Sequence, residues 1–270
     1  MNERLDIVLV ERRLVESRTK AQWLIKSGYV LVNDVKILKS SKRIDINSKI
    51  TLTKKFPYVG RGGLKLEAAL KGFSVEVEEK ICVDIGASVG GFTDCLLQHG
   101  ALKVYTVDTV PNLLHPSLTC KDNKIVELIG VDARELTSLP EKVDIATVDV
   151  TFSSLRSVLP NVKNYLKEDG DIIVLVKPLF EINFRREKSF KIINNLTELR
   201  RTLREFIGWS KLNSLYPKGI IVSPLLGKGG STEFLVHIQV DNKFVFKIDN
   251  NIEEVVKAAK ELSSNRLDSF

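Results

Sequence analysis

The stretch "VDIGASVGGFTDCLL", residues 83–97, joins an apolar run to a helical pattern through a turn of three glycines and two small residues. In an open α/β sheet, ligands bind beyond the carboxyl ends of the strands, and glycine in the first turn lets a cofactor approach the backbone. Ile81–Ile85 reads as the buried strand before such a turn and Thr93–Gln98 as the helix after it, stopped by Gly100. The spacing "GASVGG" is neither the dinucleotide fingerprint nor a phosphate loop, which counts against hydride transfer and nucleotide hydrolysis. Asp84 closes the first strand, and Asp108, 24 residues later, closes the second, where a carboxylate can accept hydrogen bonds from two ribose hydroxyls. Asp132, in "GVDAR", follows the third strand within reach of an adenine amino group. An adenosyl cofactor without a phosphate chain fits this set, and S-adenosylmethionine is such a cofactor. The expected cofactor residues are Asp84, Gly86, Ala87, Ser88, Gly90, Gly91, Asp108 and Asp132. The competing reading, a turn packed tightly for structural reasons alone, loses weight once the spaced acids are counted.

Outward from this turn the chain alternates strand and helix. Val104–Val107, Ile125–Ile129, Ile145–Val148 and Ile172–Val176 continue the sheet, and Leu155–Leu166 and Thr197–Ile207 read as connecting helices. Leu212–Leu215 and Phe234–Gln239 are expected as the last strands. The expected fold class is α/β, an open Rossmann-like sheet of a kind that would hold S-adenosylmethionine, preceded by a small N-terminal α+β domain. Pro57 and Gly60, Gly62 and Gly63 in "KKFPYVGRGGLKLEAAL" mark a junction. The expected domains are residues 1–59, residues 60–240 for the sheet, and a C-terminal extension, 241–270, in which "IEEVVKAAKEL" reads as a helix.

In the first 55 or so residues, Leu5, Leu9 and Arg12–Arg13 fit one helix, while Ser17 is placed to cap a second that buries Ala21, Leu24 and Ile25 and stops at Gly28. Short strands follow around an Asn33-Asp34 turn, with another at Ile50–Thr53. The two helices concentrate Arg12, Arg13, Arg18, Lys20 and Lys26, a density that suits RNA phosphates, although a solvated face would look the same.

Composition narrows the remaining classes. The chain has 270 residues, 43% of them hydrophobic, and a formal charge of +7, enough apolar material for a core and a bias toward an anionic partner. No apolar run approaches the roughly 20 residues of a membrane helix, and no secretory leader is visible. Three cysteines without a C-x-x-C pair and three histidines without ligand spacing give no metal site or disulfide framework, so the cytoplasm is the expected compartment.

Four residues carry the expected chemistry. Asp149 ends the fourth strand in "DVTFSSL", and Lys177 ends the fifth in "VKPLFE". Lys65, in "GRGGLKLE", and Glu233, in "GGSTEFL", complete the set. The Asn/Asp-Pro-Pro-aromatic turn of amino-methylating enzymes is missing, and no cysteine stands in either strand-end motif to attack a pyrimidine carbon. A ribose 2′-hydroxyl needs a positioned base, and a lysine oriented by a carboxylate can serve.

The N-terminal series "RLD", "VESRTKAQWLIKSGYVLVND" resembles the alpha-L RNA-binding domain first seen in a small-subunit ribosomal protein, which implies that Arg4, Ser17, Arg18, Lys20 and Lys26 lie on or beside an RNA-facing helix pair. From there through "YVGRGGLKLEAAL", "VDIGASVGGFTDCLLQHGA", "VYTVDT", "VDVTFSSL", "LVKPLFE" and "SPLLGKGGSTEFL" the chain resembles the TlyA family, rRNA 2′-O-methyltransferases long labelled haemolysins, with an FtsJ/RrmJ-type catalytic domain. The resemblance implies a Lys-Asp-Lys-Glu tetrad at Lys65, Asp149, Lys177 and Glu233. It also implies S-adenosylmethionine as donor, ribosomal RNA or a ribosomal subunit as partner, and a cytidine ribose as target. Val89, Leu179 and the segment after Glu181, "INFRREKSFKIINN", depart from the family pattern and bear on which nucleotide is modified. A non-catalytic RNA-binding assembly factor and a pore-forming haemolysin are the alternatives from other classes; the intact tetrad speaks against the first and the lack of a membrane segment against the second.

Overall fold

The computed structural model describes residues 1–120, 123–182, 195–241 and 248–267. The expectation about the stretch 182–195 falls almost wholly outside them. The chain separates into two compact units, the first ending at Pro57 and the second running from Tyr58 to Asp268.

The first unit contains β1 (Asn2–Arg4), α1 (Leu5–Glu11), α2 (Arg18–Lys26), β2 (Val30–Val32), β3 (Val35–Lys36), β4 (Arg43–Asp45) and β5 (Ile50–Leu52). Leu5, Val8 and Leu9 recur at helical spacing and close on Ala21, Leu24 and Ile25 of α2. Ser17 caps α2, its hydroxyl accepting the Lys20 amide at 3.3 Å. Asn33 and Asp34 both adopt positive φ, the geometry of a tight hairpin turn, and join β2 to β3 in a three-stranded sheet completed by β5. β1 and β4, unread in the sequence, pair antiparallel. At three residues each with mixed burial they carry too little period-2 pattern to stand out.

The second unit is a seven-stranded sheet with helices on its faces. Along the chain run α3 (Gly62–Phe73), β6 (Ile81–Ile85), α4 (Gly91–Gln98), β7 (Lys103–Asp108), α5 (Pro116–Thr119), β8 (Ile125–Ile129), β9 (Val143–Val148), α6 (Leu159–Tyr165), β10 (Leu166–Val176), α7 (Pro178–Ile182), α8 (Leu196–Leu212), β11 (Tyr216–Val222), β12 (Phe234–Gln239) and α9 (Ile248–Leu267). In space the order is β11-β12-β10-β9-β6-β7-β8. The central pairs are parallel and only β12 runs against the rest. Central strands covered on both faces read as continuous apolar runs, and Ile172, Ile173, Val174, Leu175 and Val176 of β10 are all buried. Strand order reverses between β6 and β9, the crevice in which such sheets bind ligands.

One expected strand is corrected. Leu212–Leu215 is not extended: α8 continues to Leu212, and β11 begins at Tyr216 after a turn in which Ser214 takes φ 56°. Leu199, Leu203, Phe206, Ile207 and Ser210 keep one helical face buried, so the apolar pattern belonged to the helix. β11 contains Pro217 and Gly219, residues that lower strand propensity and are tolerated here because it is an edge strand. At the C-terminal end, Ile252, Val255, Val256 and Ala259 of α9 join the same core as the sheet, and Glu253 takes hydrogen bonds from Arg200 and Arg204 of α8.

Candidate active site

The turn after β6 is shaped by what cannot fit beside it. Gly86 has φ +80°, and a Cβ there would lie 2.5 Å from the carbonyl oxygen of Asp149. Only glycine lets the first and fourth strands of the sheet end so close together. The register agrees, since Ile85 pairs with Val148 and the next residues on the two strands are Gly86 and Asp149. The start of α4 is equally bare: a Cβ on Gly91 would sit 3.2 Å from the backbone of Gly62. That approach brings α3, and with it Lys65, against the helix that follows the glycine turn.

The expected cofactor residues fall into two groups. Gly86, Ser88, Asp108 and Asp132 line a cavity of about 460 Å³, together with Asp149 and Phe152. Asp108 accepts the Ser88 amide at 2.9 Å and the Val110 amide at 3.0 Å, which fixes its carboxylate at the end of β7. Asp132 is held by the Arg134 guanidinium, whose Nε lies 3.0 Å from both carboxylate oxygens, and these hydrogen bonds lower its pKa. Asp84, Ala87, Gly90 and Gly91 are not part of that lining. Asp84 is fully buried, accepting the Thr93 amide at 2.9 Å, the Thr93 hydroxyl at 2.7 Å and the Thr147 hydroxyl at 2.9 Å. Burial pushes its carboxyl up to about 6. It ties the start of α4 to β9. Thr93 and Thr147 were not singled out in the sequence, because a threonine on a buried face looks like β-propensity until its hydroxyl is seen to have a partner.

The four expected catalytic residues form two ion pairs. Lys177 Nζ lies 2.5 Å from Asp149 Oδ1 and donates to the Val150 carbonyl at 3.0 Å and the Thr151 hydroxyl at 2.9 Å. Lys65 Nζ lies 2.5 Å from Glu233 Oε2, and both residues are more than nine-tenths buried. Sheet register brings the pairs to one end, since Val176 faces Phe234 and the residues just beyond them are Lys177 and Glu233. Asp149 belongs to both settings, lining the cavity and holding Lys177.

Two neighbours of the tetrad were missed. Glu181 is buried and accepts the Ser154 hydroxyl and the Leu155 amide, each at 2.8 Å, so it latches the loop after β9; burial raises its pKa. Its place in "VKPLFE" was the available signal. Phe152 has φ 63° and is 80% exposed at the cavity wall, with the Phe180 ring 5.6 Å away edge-on.

In the first unit, Arg18 and Lys26 are exposed and Ser17 is occupied as a helix cap. Lys20 is only 8% exposed; its ammonium pairs with Glu16 and sits over the Phe56 ring. Arg4 is half-buried beside Asp6.

A sheet of this order, with a bare glycine turn at its reversal point and a fixed carboxylate at the end of the neighbouring strand, is the architecture of Rossmann-like methyltransferases. Comparison with known proteins makes this specific. The chain belongs to the FtsJ-like methyltransferase family, which matches residues 58–240, and residues 3–50 match the S4 domain. The Bacillus subtilis protein YqxC, which carries the name of an rRNA methyltransferase, is 40% identical over 87% of this chain and 85% of its own length. The 16S/23S rRNA (cytidine-2'-O)-methyltransferase TlyA of Mycobacterium tuberculosis is 32% identical over 87% of this chain and 89% of its own. A solved structure from Streptococcus thermophilus, carried under a hemolysin name, superposes with a TM-score of 0.73 at 31% identity, covering 99% of this chain and 98% of that one. Among the described residues no helix is long and apolar enough to cross a membrane.

Proposed function

We propose that the protein transfers the methyl group of S-adenosylmethionine to a ribose 2′-hydroxyl of ribosomal RNA, at a cytidine. The observation that carries this reading is the pair of lysine–carboxylate contacts at the carboxyl end of the sheet, one of which, through Asp149, opens on the cavity. The names of two relatives aligned over most of the chain support the substrate.

The residues present fit the donor. A cavity of about 460 Å³ is of the size that small ligands occupy. Asp108 would accept the ribose hydroxyls of the adenosyl group and Asp132 its amino group, and Gly86 lines the same cavity. When bound, S-adenosylmethionine supplies an electrophilic methyl group.

The rest of the chemistry is the chain's own. Lys177, once it has given up a proton to solvent and stands as the neutral amine, would take the proton of the 2′-hydroxyl as that oxygen attacks the donor's methyl group, the S–CH3 bond breaking and the thioether leaving as the C–O bond forms. Its three oxygen neighbours, on Asp149, Val150 and Thr151, hold the side chain in place at the end of the sheet. The Lys65–Glu233 pair holds α3 to the sheet end and keeps a second cation near the oxygen that develops charge. Phe152 offers an exposed ring face for stacking a base brought to the cavity. The N-terminal residues 1–59 act as the RNA anchor and 60–240 as the catalytic domain, with 241–270 an extension of it; an rRNA substrate fits work in the cytoplasm.

The test is methyl transfer from labelled S-adenosylmethionine to ribosomal RNA by the purified protein, followed by mapping of ribose methylation in RNA from cells with and without the gene. One or more cytidine 2′-O-methyl groups should depend on the gene. Label on a base, or no transfer to RNA or assembled subunits, would overturn the reading.

A further inference from the structure

Asp6 has no role in the function proposed above, yet it is the most heavily committed side chain of the N-terminal unit. It lies in the first turn of α1 and is fully buried. Its Oδ1 accepts Arg4 Nε at 3.0 Å, and its Oδ2 accepts Arg4 Nη2 at 3.1 Å, Arg18 Nη2 at 3.0 Å and Gln22 Nε2 at 2.8 Å. Burial alone would push this carboxyl up; the hydrogen bonds from Arg4, Gln22 and Arg18 outweigh it and bring it down to about 2. It is therefore an anion at any physiological pH.

The arrangement is more than a staple between two helices. A staple needs one cation, and here one buried carboxylate gathers two, with the Glu3 carboxylate, which accepts the Arg4 amide, the second acid beside Arg4. The guanidinium side chains of Arg4 and Arg18 remain 37% and 54% exposed. Each guanidinium carries five N–H donors in a rigid fork, and most of them stay uncommitted after Asp6 is served. Arg18 and Gln22 are one turn apart on α2, so the helix itself sets the spacing on one side and the end of β1 sets it on the other.

We propose that Asp6 is a positioning residue for RNA binding, fixing the Arg4 and Arg18 guanidiniums side by side as a preset phosphate-binding pair, with Gln22 holding the carboxylate in place. The proposal rests on the reading that this unit anchors RNA. Ordering the two arginines before the RNA arrives removes the cost of immobilising two long side chains on binding.

Charge and geometry predict opposite signs, which makes the idea testable. Asp6→Asn deletes a negative charge beside two arginines. If charge alone mattered, the full-length variant would bind ribosomal RNA more tightly, with a steeper dependence on salt. Positioning predicts weaker binding, by roughly tenfold, and a slope of log affinity against log salt shallower by about 0.7 to 0.9 for each phosphate no longer engaged. Titrations with ribosomal RNA at several salt concentrations read both quantities, and thermal unfolding checks the fold. Arg4→Lys with Arg18→Lys keeps the charge and removes the fork, and serves if Asp6→Asn does not fold; it too should weaken binding. In an Arg4→Ala, Arg18→Ala background, Asp6→Asn should have no further effect. Unchanged or tighter binding by Asp6→Asn, or unchanged binding by the lysine pair, overturns the proposal. If Arg4→Ala with Arg18→Ala leaves RNA affinity untouched, it is the anchor reading itself that fails.

Discussion

Removing the carboxylate of Glu233 should cost stability and activity together, and a second substitution should separate them. Lys65 and Glu233 are 8% and 5% exposed with 2.5 Å between charged atoms, so Glu233→Ala strands a buried ammonium. Breaking a buried pair on one side typically costs about 3–5 kcal/mol, most of it the penalty of the orphaned charge. For a unit of this size each kcal/mol moves the melting temperature by roughly 2–4 °C, so a fall on the order of 10 °C is expected by calorimetry. Replacing both partners, Lys65→Met with Glu233→Leu, removes both charges at similar volume and should recover most of that loss. It should not recover methyl transfer, because the second cation at the sheet end is gone. Single-turnover transfer to ribosomal RNA, with calorimetry on the same samples, reads both effects. A double variant that melts normally and still transfers methyl at the original rate would refute the catalytic reading of this pair and leave it a structural clasp. An unchanged melting temperature for Glu233→Ala alone would refute the burial argument.

Lys177→Ala should bind the donor nearly as the parent does and lose transfer by roughly 100-fold or more, seen by comparing calorimetric affinity with single-turnover rate; a near-normal rate would remove it as the base. Asp108→Ala should weaken donor binding by roughly tenfold or more, since a charge-assisted hydrogen bond contributes about 1.5–3 kcal/mol, and unchanged affinity in a folded variant would contradict its role. Asp84 gives a pH signature. Burial raises its carboxyl from 3.8 to about 6, so the folded protein holds that proton more tightly than the unfolded chain, and the associated stability is full below pH 4 and lost as pH rises through 6. A pKa difference of about 2 corresponds to roughly 3 kcal/mol. Asp84→Asn abolishes this dependence, so denaturant unfolding should show the variant faring better relative to the parent at pH 7 than at pH 4, and an equal gap at both would argue against the raised pKa.

The sequence by itself determined the chemistry-bearing positions that lie on strong local patterns. A buried strand leads into a glycine turn whether or not its neighbours are known, which is why Gly86 and Asp108 could be placed at the ends of β6 and β7. Acid and lysine at strand ends made Asp149 and Lys177 legible for the same reason. What it could not give was pairing between residues far apart in the chain. Lys65 and Glu233 are separated by 168 positions, and nothing local says that one helix and the antiparallel strand β12 carry them to the same point. Asp84 reads as a cofactor residue because it stands beside the turn; that Thr93 and Thr147 close around its carboxylate appears only in the folded chain. Lys20 looked like a surface cation by type and spacing, and its burial against Glu16 and Phe56 appears only once the unit is folded. The apolar residues near Leu212 could be shared between helix and strand on pattern alone, and the tertiary core settled the matter. Local periodicity fixes which backbone conformation a segment prefers; which polar groups lose water, and with whom they pair, depends on contacts that only the folded chain creates.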